Sequence, residues 1–223
     1  MIDRDQILKS IFVEAKNYKE RLANTSLLLL YKDKQGNLIK SLEIEFKPSH
    51  FQHLTGLLLK DVKTGEPREH VAYEFYNRCI DKPYLTEQEI VISDNNVVPL
   101  KLDALPYLTQ ITKITRMAGE YDSTKKDKLK ADYIVGGTKS CLGVSKYDDK
   151  DSYFPRTCLK EDIRNITTYT SQVLAIFQTT KGENQNVYNR VRYVAKGVNL
   201  NNLVIPEEIK KKISIPFGEN SGE

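Results

Sequence analysis

The chain has 223 residues, 39% of them hydrophobic and 29% charged, with a net charge of +4. That length can bury a sizeable core, yet wholly apolar runs such as Leu27–Leu30 fall far short of the roughly 20 residues of a membrane span. The mild positive excess permits a nucleic-acid partner without demanding one, because phosphate binding depends on local clusters. The opening Met-Ile-Asp-Arg-Asp-Gln lacks the apolar core of a secretion signal, so a cytoplasmic protein is expected. Cys79, Cys141 and Cys158 are widely spaced and form no C-x-x-C pair, so reduced, packed thiols are expected, with neither a disulfide framework nor a zinc site.

In chain order, residues 3–23 read as a helix, since Ile7, Leu8, Ile11, Phe12, Ala15, Tyr18 and Leu22 recur at three- and four-residue spacing. Asp3 can cap its start. Residues 26–31 and 38–46 read as the strands of an antiparallel hairpin around Lys34-Gln35-Gly36-Asn37, with Leu38, Leu42, Ile44 and Phe46 on one face and Lys40 interrupting it. Pro48 then separates the second strand from a loop, Ser49-His50-Phe51-Gln52-His53-Leu54-Thr55-Gly56. A second helix over 68–80 carries Ala72, Phe75, Tyr76 and Cys79 on one stripe. A short apolar patch lies at 90–92, a turn at Asp94-Asn95-Asn96, and a helix over 100–114 that Pro106 is expected to kink or restart.

From residue 115 the texture turns to strands, at 115–121, 132–136, 140–147, 168–179 and 187–196, punctuated by Gly136-Gly137, Asp148-Asp149 and Lys181-Gly182. The piece 167–180, rich in Thr, Val, Ile, Phe and Tyr, has the composition of a long central strand. A final helix over 205–213 starts at Pro206 and ends in three lysines. The expectation is one α+β domain over 1–217, helix-rich to 114 and strand-rich after it, with a disordered tail over 218–223.

The chemistry concentrates in the histidine loop, which holds two of the three histidines. Imidazole moves protons near neutral pH. His50 and His53 belong to no H-E-x-x-H or H-x-E pattern, so no metal and no cofactor are expected. Gly136-Gly137-Thr138-Lys139-Ser140 looks superficially like a phosphate loop but lacks the spacer and the following helix; it reads as a hairpin turn. Metal-independent cleavage of RNA fits better. It needs a group to take the 2′-hydroxyl proton, a group to protonate the leaving 5′-oxygen, and cations or hydroxyls to stabilise the charged phosphorane. The candidates are His53, Thr55, Lys101, Tyr153, Arg156 and Thr157. Arg190 and Arg192, on one face of a strand, are candidates to hold phosphates, and His50 is read as an exposed flanking contact.

Each has a plainer reading. His53 can be a packed residue with one satisfied ring nitrogen, and Thr55 a turn cap before Gly56. Lys101 can be a solvated helix lysine. Tyr153-Phe154-Pro155-Arg156-Thr157 can be a proline-set turn that buries two aromatics, and the two arginines can simply blunt an edge strand. His70 reads as a surface residue.

The order of the pieces is itself informative. Ile44–Leu57 with Phe-x-His-Leu-Thr-Gly at its centre, Ala72–Cys79, Leu100–Leu108 around Lys101, Ala131–Gly136, Leu142–Tyr147 and Tyr153–Asp162 succeed one another across residues 25–180. The set resembles the phage-encoded barnase–EndoU–colicin–RelE-like nuclease domains of mobile elements. The resemblance implies an α+β fold with N-terminal helices packed on a twisted antiparallel sheet, and a metal-independent, toxin-like RNase. It implies His53 as general base or acid, Lys101 as a stabiliser of phosphate charge and Thr157 as a hydroxyl donor. RNA is the implied partner, with a protein inhibitor or host defence protein as a second kind. Folds of this sort also host inactive members, so the competing reading is a non-catalytic mobile-element protein that binds nucleic acid or a defence protein as an inhibitor or regulator.

Overall fold

A computed structural model of the chain describes residues 4–36, 38–92, 97–126, 129–180 and 187–215. Asp3, the Asp94–Asn96 turn and the tail 218–223 lie outside these residues. Helix α1 (Arg4–Arg21) buries Ile7, Leu8, Ile11, Ala15 and Tyr18, the stripe its spacing requires. Strand β1 (Thr25–Lys32) is buried along all but its last residue, and β2 (Ile39–Phe46) returns antiparallel with Leu27 opposite Ile44 and Leu29 opposite Leu42. Leu38 falls before the strand and is 64% exposed, so the apolar face starts later than the alternation suggests.

Next come α2 (His50–Thr55), β3 (Leu58–Leu59), α3 (Ala72–Ile80) and β4 (Ile90–Val91), the last pairing with β3 in a small separate sheet. The helix expected over 100–114 is two helices, α4 (Val97–Leu108) and α5 (Ile111–Ile114). The break falls at Thr109–Gln110, not at Pro106. Pro106 sits in the last turn of α4, where it forgoes one backbone hydrogen bond without ending the helix, and the Gln110 amide turns back to Tyr107 O at 3.0 Å.

Six strands complete the chain: β5 (Met117–Glu120), β6 (Tyr133–Gly136), β7 (Cys141–Lys146), β8 (Tyr153–Leu159), β9 (Ser171–Thr179) and β10 (Tyr188–Val194). The single-turn helix α6 (Glu207–Lys210) follows, with Pro206 as its N-cap. Gly137 N–H bonds to Ser140 O, so the glycine pair between β6 and β7 is the hairpin turn its sequence indicates.

The sheet is not open. Its strands run β1-β2-β8-β7-β6-β5-β9, and β9 pairs back with β1, closing a seven-strand barrel. β5 pairs only with the start of β9, and β10 takes up the rest of that edge. Closure removes exposed edges that an open twisted sheet would leave. One seam is parallel: β2 and β8 meet only at Ile44 and Tyr153, then part. α2 and α4 pack against β8 where the strands diverge. One apolar cluster joins the helices (Ile11, Tyr18, Phe51, Leu54, Phe75, Leu105) to one face of the strands (Leu27, Leu29, Ile44, Leu142, Val144, Cys158). Two smaller clusters cover the other face, one around Phe177, Tyr188 and Ile209, the other around Ile134, Cys141, Ile163 and Ile166.

β8 corrects the sequence reading most. Tyr153–Thr157 is not a proline-set turn but the start of a strand in the middle of the sheet order. Proline is tolerated because the strand is bulged: Val144 faces Pro155, Gly143 faces Thr157, and Arg156 is the extra residue. The bulge also breaks the two-residue alternation by which a strand is recognised.

Candidate active site

The histidine segment is a helix rather than a loop. The His50 and Phe51 amides bond to Lys47 O and Pro48 O, and Gly56, at φ 74°, ends the turn by donating to Gln52 O. Six residues cannot hold a helix alone. Phe51 and Leu54, both fully buried, contribute roughly 1.5–3 kcal/mol each and anchor it to the core. Thr55 is fully buried too: its hydroxyl donates to Gln52 O at 2.8 Å and accepts from Leu57 N at 3.1 Å. It is a turn-capping residue whose buried hydroxyl bonds to backbone, not one of the expected groups facing substrate.

His50 takes the opposite environment to the one expected, and His53 does not take the packed environment of its plainer reading. His50 is 8% exposed rather than a surface contact. Its Nδ1 accepts from the Lys47 amide at 3.1 Å and its Nε2 lies 3.2 Å from the Tyr147 hydroxyl. Burial first, then the nearby Lys47 and His53, push its pKa down to about 4. His53, one turn later, is exposed. His70 is exposed as expected.

His53 has the company expected from Lys101 and an addition. Lys101 Nζ, from α4, donates to His53 O at 2.7 Å. Partial burial lowers the His53 pKa, and the charges of Arg156 and Lys101 lower it further. The Lys101 pKa is lowered by burial and then by Arg156. Every charge acting on these two groups is positive. Helix α2, helix α4 and the β8 bulge thus carry an imidazole, an ammonium and a guanidinium whose charges act on one another, and among the described residues no carboxylate figures among the causes of these shifts. The chemistry of such a cluster suits an anion, and the lowered pKa favours the neutral imidazole.

Thr157 is not the β8 residue that joins this cluster. It is 6% exposed, and a Cβ on Gly143 would lie 2.9 Å from its methyl and 3.2 Å from Ala131 Cβ. The next residue, Cys158, points the other way and donates its thiol to Ala104 O of α4. Successive strand side chains alternate, so Thr157 faces away from the helices. Tyr153 packs edge-on against Tyr133, with ring centroids 5.7 Å apart, and the charges acting on it are Lys146, Asp132, Asp151 and Glu120. Arg190 and Arg192 are exposed on β10. Three strands separate β8 from β9 on one side and two on the other, and β10, which carries both arginines, pairs with β9 and not with β8. Two register shifts in β10 also break the alternation that placed them on one face.

Sequence reasoning passed over Tyr147. It stands at the end of β7, its ring 4.8 Å from Phe154 and 6.4 Å from His50. The available signal was the hairpin: aromatics at 147 and 154 flank the Asp148-Asp149 turn, and the Tyr147 amide bonds to Ser152 O.

Among the described residues no three His, Cys, Asp or Glu side chains gather closely enough to hold a metal ion, and no helix is long and apolar enough to cross a membrane. The model of one protein family, described as phage-Barnase-EndoU-ColicinE5/D-RelE like nuclease 4, matches residues 10–193. Neither a curated protein nor a solved structure matches the chain.

Proposed function

This chain belongs to the phage-Barnase-EndoU-ColicinE5/D-RelE like nuclease 4 family, and on that premise we propose that it is a metal-independent endoribonuclease acting through His53, Lys101 and Arg156. The observation that carries the reading is the Lys101 ammonium bonded to the His53 backbone oxygen, with the Arg156 charge acting on both residues.

His53, neutral at pH 7, takes the proton of a ribose 2′-hydroxyl. The 2′-oxygen attacks phosphorus, the bond to the 5′-oxygen breaks, and a 2′,3′-cyclic phosphate forms. Arg156 offers its planar fork of donors to the non-bridging oxygens as charge builds on the phosphorane. Lys101 spends one N–H on His53 O, which sets its position, and keeps two for substrate. The burial and positive neighbour that lower its pKa also make it the better acid, so it supplies the proton to the leaving 5′-oxygen.

The test is incubation of purified protein with a mixed-sequence RNA and its DNA counterpart in EDTA. Cleavage of RNA alone, with cyclic-phosphate ends, is expected. His53→Ala should lower the rate by about 10²-fold or more with an unchanged thermal melt. Cut DNA, or cleavage that needs added divalent metal, would overturn the mechanism. Intact RNA with folded wild-type protein would favour the non-catalytic binding reading.

A further inference from the structure

The buried histidine has a consequence beyond the cleavage site. A backbone amide can only donate, so His50 Nδ1, which accepts from Lys47 N–H, carries no proton. The neutral ring then carries its proton on Nε2 and donates it to the Tyr147 oxygen 3.2 Å away. The phenol proton is left without a protein acceptor among the described residues, on a half-buried ring. Phe154, also half-buried, lies 4.8 Å from the Tyr147 ring and 5.9 Å from the Arg156 guanidinium. Phe154 therefore bridges the cationic cluster and a hydroxyl whose direction is set from behind by His50.

Cations continue past the pair. Lys47 Nζ and Lys150 Nζ lie 5.1 and 4.2 Å from the Tyr147 ring centre. Lys150 is held by Glu45 at 2.5 Å, whereas Lys47 stands 4.0 Å from that carboxylate and is half exposed. Lys47 is thus the more loosely held of the two cations and the one open to a further phosphate. It also lines a cavity of about 300 Å³ with Asn24, Glu45, Ser49 and Tyr73.

We propose that Phe154 and Tyr147 form a nucleobase subsite for single-stranded RNA beside the cleavage site: the base stacks on Phe154, the Tyr147 hydroxyl donates to an acceptor on its edge, and Lys47 holds the next phosphate. The proposal rests on the ribonuclease reading for its choice of ligand. A paired base presents no free face to a protein ring, so such a subsite selects unpaired strands.

The experiment measures binding, which keeps it separate from cleavage. A fluorescent 2′-O-methyl RNA, which lacks the attacking hydroxyl, is titrated by anisotropy as a single strand and as a duplex, at two salt concentrations. The wild type should prefer the single strand. Phe154→Leu should weaken single-strand binding by about tenfold with the salt dependence unchanged. Tyr147→Phe, which keeps the ring and the fold, should weaken it several-fold. Lys47→Gln should flatten the salt dependence by about one phosphate contact. Wild-type affinity in both Phe154→Leu and Tyr147→Phe, or tighter binding of the duplex, would overturn the subsite even if the RNA is cut. Loss of cleavage in His53→Ala with these binding effects intact would leave it standing.

Discussion

Lys101 reaches from α4 to the last turn of α2 and donates its ammonium to the backbone oxygen of His53 at 2.7 Å. The contact runs through main chain rather than side chain, so it sets where the amine sits while leaving the imidazole free. It also depends on Gly56, because a Cβ there would lie 3.0 Å from Lys101 Cδ.

Gly56→Ala therefore acts twice. The residue sits at φ 74°, a left-handed conformation that costs a non-glycine residue about 1–2 kcal/mol, and the added methyl crowds the lysine stem. Urea unfolding should show a stability loss of that order, and RNA cleavage should fall further than the loss of folded protein explains. Unaltered cleavage per folded molecule would mean that the position of Lys101 does not matter.

Arg156→Gln removes one of the two positive charges acting on His53. The His53 pKa should move upward, though not fully to its ordinary value, since burial and Lys101 remain. Titration of the His53 ring protons by NMR reads this directly. In the wild type the acid limb of the pH–rate profile should lie below the ordinary histidine value, and in Arg156→Gln it should shift to higher pH. A His53 titration identical in the two proteins would place Arg156 outside the cluster.

Thr157→Val tests the reassignment on β8. The hydroxyl is lost while the shape of the buried side chain is kept. With Thr157 packed towards Gly143 and Ala131, cleavage should stay within about twofold, below the 10²-fold that a group acting in the transition state costs. A loss of that larger size would restore Thr157 to the site.

His50 predicts a pH-dependent stability. Its folded pKa of about 4 lies below the unfolded value of 6.5, so between those values the unfolded chain binds more protons. Stability is full above about pH 6.5 and falls as pH drops towards 4, by roughly 3 kcal/mol. Urea midpoints across that range should decline less steeply in His50→Gln than in the wild type. Parallel declines would show that His50 does not titrate on unfolding.

The local signals carried the early elements because periodic apolar residues answer to their own helix or strand. α1, the β1–β2 hairpin and the stripe of α3 follow from spacing alone. His53 and Lys101 were likewise legible as residue types suited to phosphate chemistry. The remainder was decided by tertiary structure. Barrel closure depends on β9 meeting β1, a pairing of distant segments without a local pattern. The bulge at Pro155 hid β8 and put Arg156 out of register with its neighbours, because one extra residue changes which side chains face the helices. Burial separated two histidines three residues apart: the one expected at the surface became a neutral support for Tyr147, and the other was left open beside two cations. Sequence determined which groups could do the chemistry; packing determined which of them meet, because proton affinity and reach depend on neighbours that lie far away along the chain.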